Sequence, residues 1–171
     1  MNELQALNPV PPGLLLQHNP AGAFADAYAL QIPQTVRLAD YVAAFYATPL
    51  FKLERGLIGL LLRRPARDAD AAALGRGERT AFSAWQVLDR NGQELLLQDL
   101  SGRTRSWLRV EPLPAGTRLI FGSAVLPRPG GGFGWGFRAL LGFHVWYSRA
   151  LLRAAARRLL SQESAGDAEL S

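Results

Sequence analysis

Two histidines, fourteen acidic side chains and no cysteine set the chemical repertoire of this chain. Without cysteine there is no disulfide and no thiolate nucleophile. His18 and His144 sit at opposite ends of the sequence and no Gly-x-Ser-x-Gly elbow occurs, so nucleophilic catalysis has no signature. Zinc-type sites need histidine pairs or cysteine clusters. Neither is present, and no metal or other cofactor is expected.

His144 is the residue best placed for chemistry. Leu140, Leu141, His144, Tyr147, Leu151, Leu152, Ala155 and Leu159 recur at helical spacing, which puts it on the broad apolar face of a helix predicted from Phe137 to about Leu160. On that face the imidazole either points into a cavity and moves a proton, or is a core histidine bonded to a carbonyl or a carboxylate. Tyr147, three residues on, brings a hydroxyl to the same face. Asp99 follows the apolar run Leu95-Leu96-Leu97. Facing inward it would need an arginine partner or a role as an acid; beside Ser101-Gly102 it closes a turn. Trp85 and Trp107 either line a pocket or pack.

The loop Pro129-Gly130-Gly131-Gly132-Phe133-Gly134-Trp135-Gly136 follows a strand and opens the last helix, the setting of a phosphate-binding loop. It lacks the Lys-Ser/Thr pair of a P-loop, and no parallel strand follows, so nucleotide binding is not expected. Phe133, Trp135 and Phe137, flanked by Arg128 and Arg138, would suit a lid over a cavity or a wedge against a membrane with anionic headgroups. Arg149, Arg153, Arg157 and Arg158 read as a solvated helix face. Nucleic-acid binding would call for interleaved aromatics or a helix-turn-helix, and is not expected.

These residues must be held by elements that the rest of the chain supplies. With 171 residues, 49% hydrophobic and 19% charged, the chain has room for one globular domain. The formal charge is +5, carried by arginine with Lys52 as the only lysine. Met1-Asn2-Glu3-Leu4 lacks a positive signal-peptide region, and the apolar run Leu57 to Leu62 is far below the roughly 18 residues of a span, so the expected compartment is the cytoplasm. Residues 1–23, rich in proline and glycine, predict an irregular leader. Phe24 to Ile32 alternates as a strand ended by Pro33. Leu38, Tyr41, Val42 and Phe45 form a helical stripe, and Thr48-Pro49 caps a second helix to about Leu62. Asp68 to Leu74 predicts one more turn, with Gly75-Arg76-Gly77 as linker.

From Thr80 the pattern is β-rich, with four evident strands: Phe82–Leu88, Glu94–Leu100, Arg103–Glu111 and Thr117–Leu126. Short turns between them, including Asn91-Gly92 with an expected positive φ, imply an antiparallel meander. In the third strand Arg103, Arg105, Trp107, Arg109 and Glu111 share one face, read as wet, while Thr104, Ser106, Leu108 and Val110 point inward. Residues 161–171 read as a frayed tail. The fold class is therefore α+β: a curved antiparallel sheet gripping a long C-terminal helix, with two short helices after the first strand.

Ala25-Asp26-Ala27-Tyr28, the run Trp85-Gln86-Val87-Leu88 through Glu94-Leu95-Leu96-Leu97, Gly116-Thr117-Arg118-Leu119, and Phe143-His144 with Leu151-Leu152-Arg153 carry a resemblance. Over residues 24–160 the chain resembles the START-like, or SRPBCC, superfamily of helix-grip domains, and within it a bacterial branch described as a domain of unknown function. The resemblance implies a hydrophobic cavity between sheet and helix for a small or lipid-like ligand, and no particular reaction. Val42, Phe45, Trp85, Leu108, Val110, His144, Tyr147 and Leu151 are the expected ligand-binding wall. The alternatives are a cyclase or isomerase that uses His144 with Asp99 or Tyr147, and a packed interaction module without a cavity.

Overall fold

The structure, a computed structural model, describes residues 3–52, 67–127 and 134–169, with side chains of the last helix described over 142–162. The sheet is antiparallel and seven-stranded, in the order β1-β2-β7-β6-β5-β4-β3. Its strands are β1 (Gln5–Ala6), β2 (Phe24–Ile32), β3 (Ala81–Phe82), β4 (Trp85–Arg90), β5 (Glu94–Asp99), β6 (Thr104–Leu113) and β7 (Gly116–Val125). The helices are α1 (Leu14–His18), α2 (Leu38–Tyr46), α3 (Asp68–Arg76) and α4 (Gly134–Glu169). This is the α+β arrangement that the sequence predicts, with α4 packed against α2, β2 and β7.

Period-two alternation decides which side chain goes where. In β2, Tyr28, Leu30 and Ile32 enter the core under the helices, while Ala27 and Ala29 face the other side of the sheet. The first strand pairs with the last, Phe24 opposite Val125 through to Ile32 opposite Thr117. The inner core is closed by Tyr41, Val42 and Phe45 of α2 and by Leu151, Leu152, Ala155 and Leu159 of α4, all buried. Thr48 is a working cap: its Oγ1 accepts from Phe51 N at 3.3 Å, and residues 49–52 are helical. The rest of the helix expected to about Leu62 lies outside the described residues.

The sequence reading needs several corrections. The expected Gly75-Arg76-Gly77 linker is helical through Arg76, and Gly77 ends α3 in the left-handed conformation at φ 81°. Gly75 is needed because a Cβ there would lie 2.5 Å from the Ala39 carbonyl oxygen of α2. Phe82 to Leu88 is not one strand. It breaks at Ser83, at φ 54°, so five strands follow the helices and not four. Gly92 stays outside the left-handed region, because Asn91 Oδ1 builds the turn by accepting both Gln93 N at 2.9 Å and Glu94 N at 2.8 Å. The last helix continues past Leu160 to Glu169, through much of the expected tail.

The leader is the largest departure. β1 extends the sheet beside β2, and α1 lies across the outer face with Leu14 and Leu15 on Leu96, Trp107, Ile120 and Ala124. The face of β6 read as wet is therefore covered: Trp107 is 0% exposed and Arg105 8%. Glu94 Oε2 accepts both Trp107 Nε1 at 2.8 Å and Leu14 N at 2.7 Å. Arg109 donates to Pro12 O at 2.7 Å, and Arg105 to His18 O. Gly122 makes this packing possible, since a Cβ there would stand 2.7 Å from the Trp107 ring and 3.1 Å from Leu15.

Candidate functional site

The inner face of the sheet carries a polar row beside its apolar core. Asp26 of β2 is opposite Ser123 of β7, and Ser123 is opposite Ser106 of β6. All three face the helices because they share parity with Tyr28, Phe121 and Leu108. The row continues into Leu97 of β5, which ends its polar character.

Asp26 is the anchor. Its Oδ2 accepts the Tyr28 hydroxyl at 3.0 Å, and its Oδ1 accepts Ser123 Oγ at 2.6 Å. His144, reaching down from α4, places Nε2 at 2.7 Å from Ser123 Oγ and 3.5 Å from Asp26 Oδ1. Ser123 has one proton and gives it to the carboxylate, so the imidazole Nε2–H must donate to the serine oxygen. Burial pushes the Asp26 carboxyl up, but bonds from His144 and Ser123, the nearby imidazole charge and Tyr28 together hold it below its ordinary value. Burial and the adjacent carboxylate push the Tyr28 phenol well up, which keeps it a donor.

The order of these groups decides what they can do. In a hydrolytic triad the imidazole stands between carboxylate and hydroxyl and takes the hydroxyl proton. Here the serine stands between, and its proton is held by a carboxylate, so Ser123 is not an activated nucleophile. The arrangement fixes an imidazole and keeps a carboxylate ionised at the edge of the core.

Beside this network is a cavity of about 140 Å³ between sheet and helices. Phe45, Phe51, Trp85, Phe121, Tyr147 and Leu151 form its apolar walls, and Thr104, Arg105, Ser106, Ser123, His144 and Ser148 supply its polar lining. Ser106 Oγ is bonded to the Tyr46 hydroxyl at 3.1 Å. Three lining residues carry a buried polar atom with no hydrogen-bond partner among the described residues: Trp85 Nε1, Arg105 Nε and Ser148 Oγ, the last on a residue that is 0% exposed. A larger and more open groove of about 510 Å³ lies outside β2 along residues 6–10, but no orphaned polar side chain lines it among the described residues.

Of the expected wall, Phe45, Trp85, His144, Tyr147 and Leu151 meet at the cavity. Val42, Leu108 and Val110 are buried in the adjoining core and do not line it. Asp99 is not in this constellation. Its Oδ1 accepts Arg103 N at 2.8 Å and Thr104 N at 3.0 Å, and its Oδ2 takes Ser101 Oγ at 2.6 Å, so it closes the β5–β6 turn. The acid beside His144 is Asp26, which the sequence reading passed over as part of a strand. Parity was the available signal: Asp26 alternates with Tyr28, Leu30 and Ile32, and a carboxylate on a core-facing row must have partners. Phe133 lies outside the described residues, as do the side chains of Trp135 and Phe137, so the expected lid falls there too. Among the described residues no cluster of three His, Asp or Glu side chains could hold a metal, and no helix is long and apolar enough to cross a membrane.

No family model matches the chain, and no curated protein does. Among solved structures, that of Ara h 8.0201 is similar over 82% of this chain and 99% of its own, at 8% identity and a TM-score of 0.35. A likeness this distant adds nothing to the topology already described.

Proposed function

We propose that this protein is a START-like helix-grip domain that binds a small, largely apolar ligand between its sheet and its last helix, without catalysing a reaction on it. The observation that carries this reading is the set of unanswered polar atoms, Trp85 Nε1, Ser148 Oγ and Arg105 Nε, on a cavity whose other walls are largely aromatic and aliphatic. Buried polar groups are normally bonded, and all three of these can donate, so a ligand bearing an oxygen acceptor suits this lining. The size of the cavity sets the class. About 140 Å³ compares with cavities that take a single benzene-sized ring, and is below the roughly 300–1,000 Å³ of drug-sized sites. A one-ring ketone or phenol fits better than a long acyl chain.

A second reading, acid–base catalysis of the cyclase or isomerase kind, is favoured by one specific observation. His144 lines the cavity while Asp26 and Ser123 fix its orientation, an arrangement suited to a general base. The test is a thermal-shift and calorimetric screen of one-ring ketones, phenols and matched hydrocarbons against the wild type and Leu151→Trp, which fills the cavity. Ligand binding that prefers the oxygenated compounds and disappears in Leu151→Trp is the expected result. Absence of binding by every ring compound would sink the carrier reading. Conversion of a bound compound, lost in His144→Ala, would replace it with the enzyme.

A further inference from the structure

We propose that the outward stripe of α4 docks on a bilayer surface bearing anionic lipid headgroups. Phe143 and Trp146 are 59% and 57% exposed, large aromatic side chains left in solvent on consecutive turns of the helix. They do not stand apart: their ring centroids are 5.7 Å from each other, and Phe143 stacks on Tyr147 at 5.8 Å. The result is a compact wedge of rings. At 100° per residue, Arg153 and Arg157 fall on the same side of the helix as Trp146, and both are exposed. Ser148, Leu151, Leu152, Ala155 and Leu159 occupy the opposite, buried side.

Charge decides the partner. Every residue of fixed charge between Glu111 and Glu163 is an arginine, so the helix itself places no carboxylate between its rings and its arginines. A second copy meeting this face across a two-fold axis would bring more arginine and no acid. Single-stranded nucleic acid prefers rings spaced to accept bases between cations, whereas here the rings touch each other and the cations follow on later turns. A ring wedge at one end and arginines at the other fits the boundary between acyl chains and headgroups, where aromatics settle and arginine meets phosphate. His144 and Tyr147 of the cavity wall are the chain neighbours of Phe143 and Trp146, so docking would bring the cavity-lining stretch of α4 close to the lipid.

The experiment is flotation of the purified full chain with phosphatidylcholine vesicles, with and without phosphatidylglycerol. Binding only to the anionic vesicles, weakened by salt, is expected. Phe143→Ser with Trp146→Ser should lower the affinity at least roughly tenfold. Arg153→Gln with Arg157→Gln should lower it roughly thirtyfold, as two charges near an anionic surface imply. All four positions are exposed, and circular dichroism will show that each variant is folded. Flotation unchanged in both double variants would overturn the proposal. So would a dimer in sedimentation that Phe143→Ser/Trp146→Ser dissolves, or an oligonucleotide complex that the arginine variant dissolves, without flotation of the wild type.

Discussion

The two faces of one sheet are built from the same strands and come out differently. On the outer face Trp107 is sealed under the leader, its N–H answered by Glu94 and its ring approached so closely that Gly122 cannot carry a Cβ. On the inner face, under a far larger cover of helices, a cavity remains, and Trp85 shows an indole N–H with no partner among the described residues. A short cover of few residues can be fitted tightly to a sheet. A long rigid helix touches a curved sheet along a line and leaves space beside it. The inner face buries the larger core and still leaves a cavity beside it, whereas the smaller outer cluster closes tightly.

The comparison breaks most easily at Trp107. Trp107→Ala should destabilise by about 3–5 kcal/mol in urea unfolding, because it empties a sealed site. Ligand binding at the inner cavity, measured under conditions where the variant is still folded, should persist. A loss below about 1 kcal/mol would mean that the leader contributes little and that the outer face is not a second core.

How far this division could be read in advance follows from pattern length. The stripe of α2, the long face of α4 and the alternation of β6 each run over enough residues for their period to be unambiguous. The leader is different. Pro9, Pro11, Pro12 and Gly13 break every period, yet Leu14 and Leu15 suffice to cover a tryptophan. Alternation in β6 correctly grouped Trp107 with Arg105 and Arg109, but parity cannot say whether solvent or another segment meets that face. β3 is two residues long, too short for any period to register. The polar row was legible in part: Asp26 has core parity, whereas its pairing with His144 depends on a contact between β2 and α4, more than a hundred residues apart.

The inner network gives the next largest effect. Asp26→Asn removes a charged acceptor of three groups and should cost about 2 kcal/mol near neutral pH. Its pH dependence has a definite sign. The folded carboxyl is held below its ordinary value, so its contribution is complete above the ordinary carboxylate range and is lost as pH falls through the lowered folded value. Urea titrations against pH should show the wild type losing stability in acid more steeply than Asp26→Asn. Parallel curves would mean that Asp26 is not held ionised by His144 and Ser123.

The smallest effect is the sharpest test of what the inner face is for. Glu94→Gln on the outer face weakens an acceptor shared by Leu14 N and Trp107 Nε1, and should cost about 1–2 kcal/mol. Ser148→Ala on the inner face removes a fully buried hydroxyl with no partner among the described residues. Deleting an unsatisfied polar atom relieves a desolvation penalty, so this variant should match the wild type or exceed it by up to about 1 kcal/mol without ligand. With an oxygenated ring compound present the order should reverse, because Ser148→Ala has lost a group that the ligand would satisfy. Thermal melts with and without the compound read both halves at once. A residue kept at a small expense to the empty protein and regained only with the ligand is the mark of a binding site. If Ser148→Ala is destabilised with and without ligand alike, Ser148 is a packing residue and the inner face is only a less complete version of the outer one.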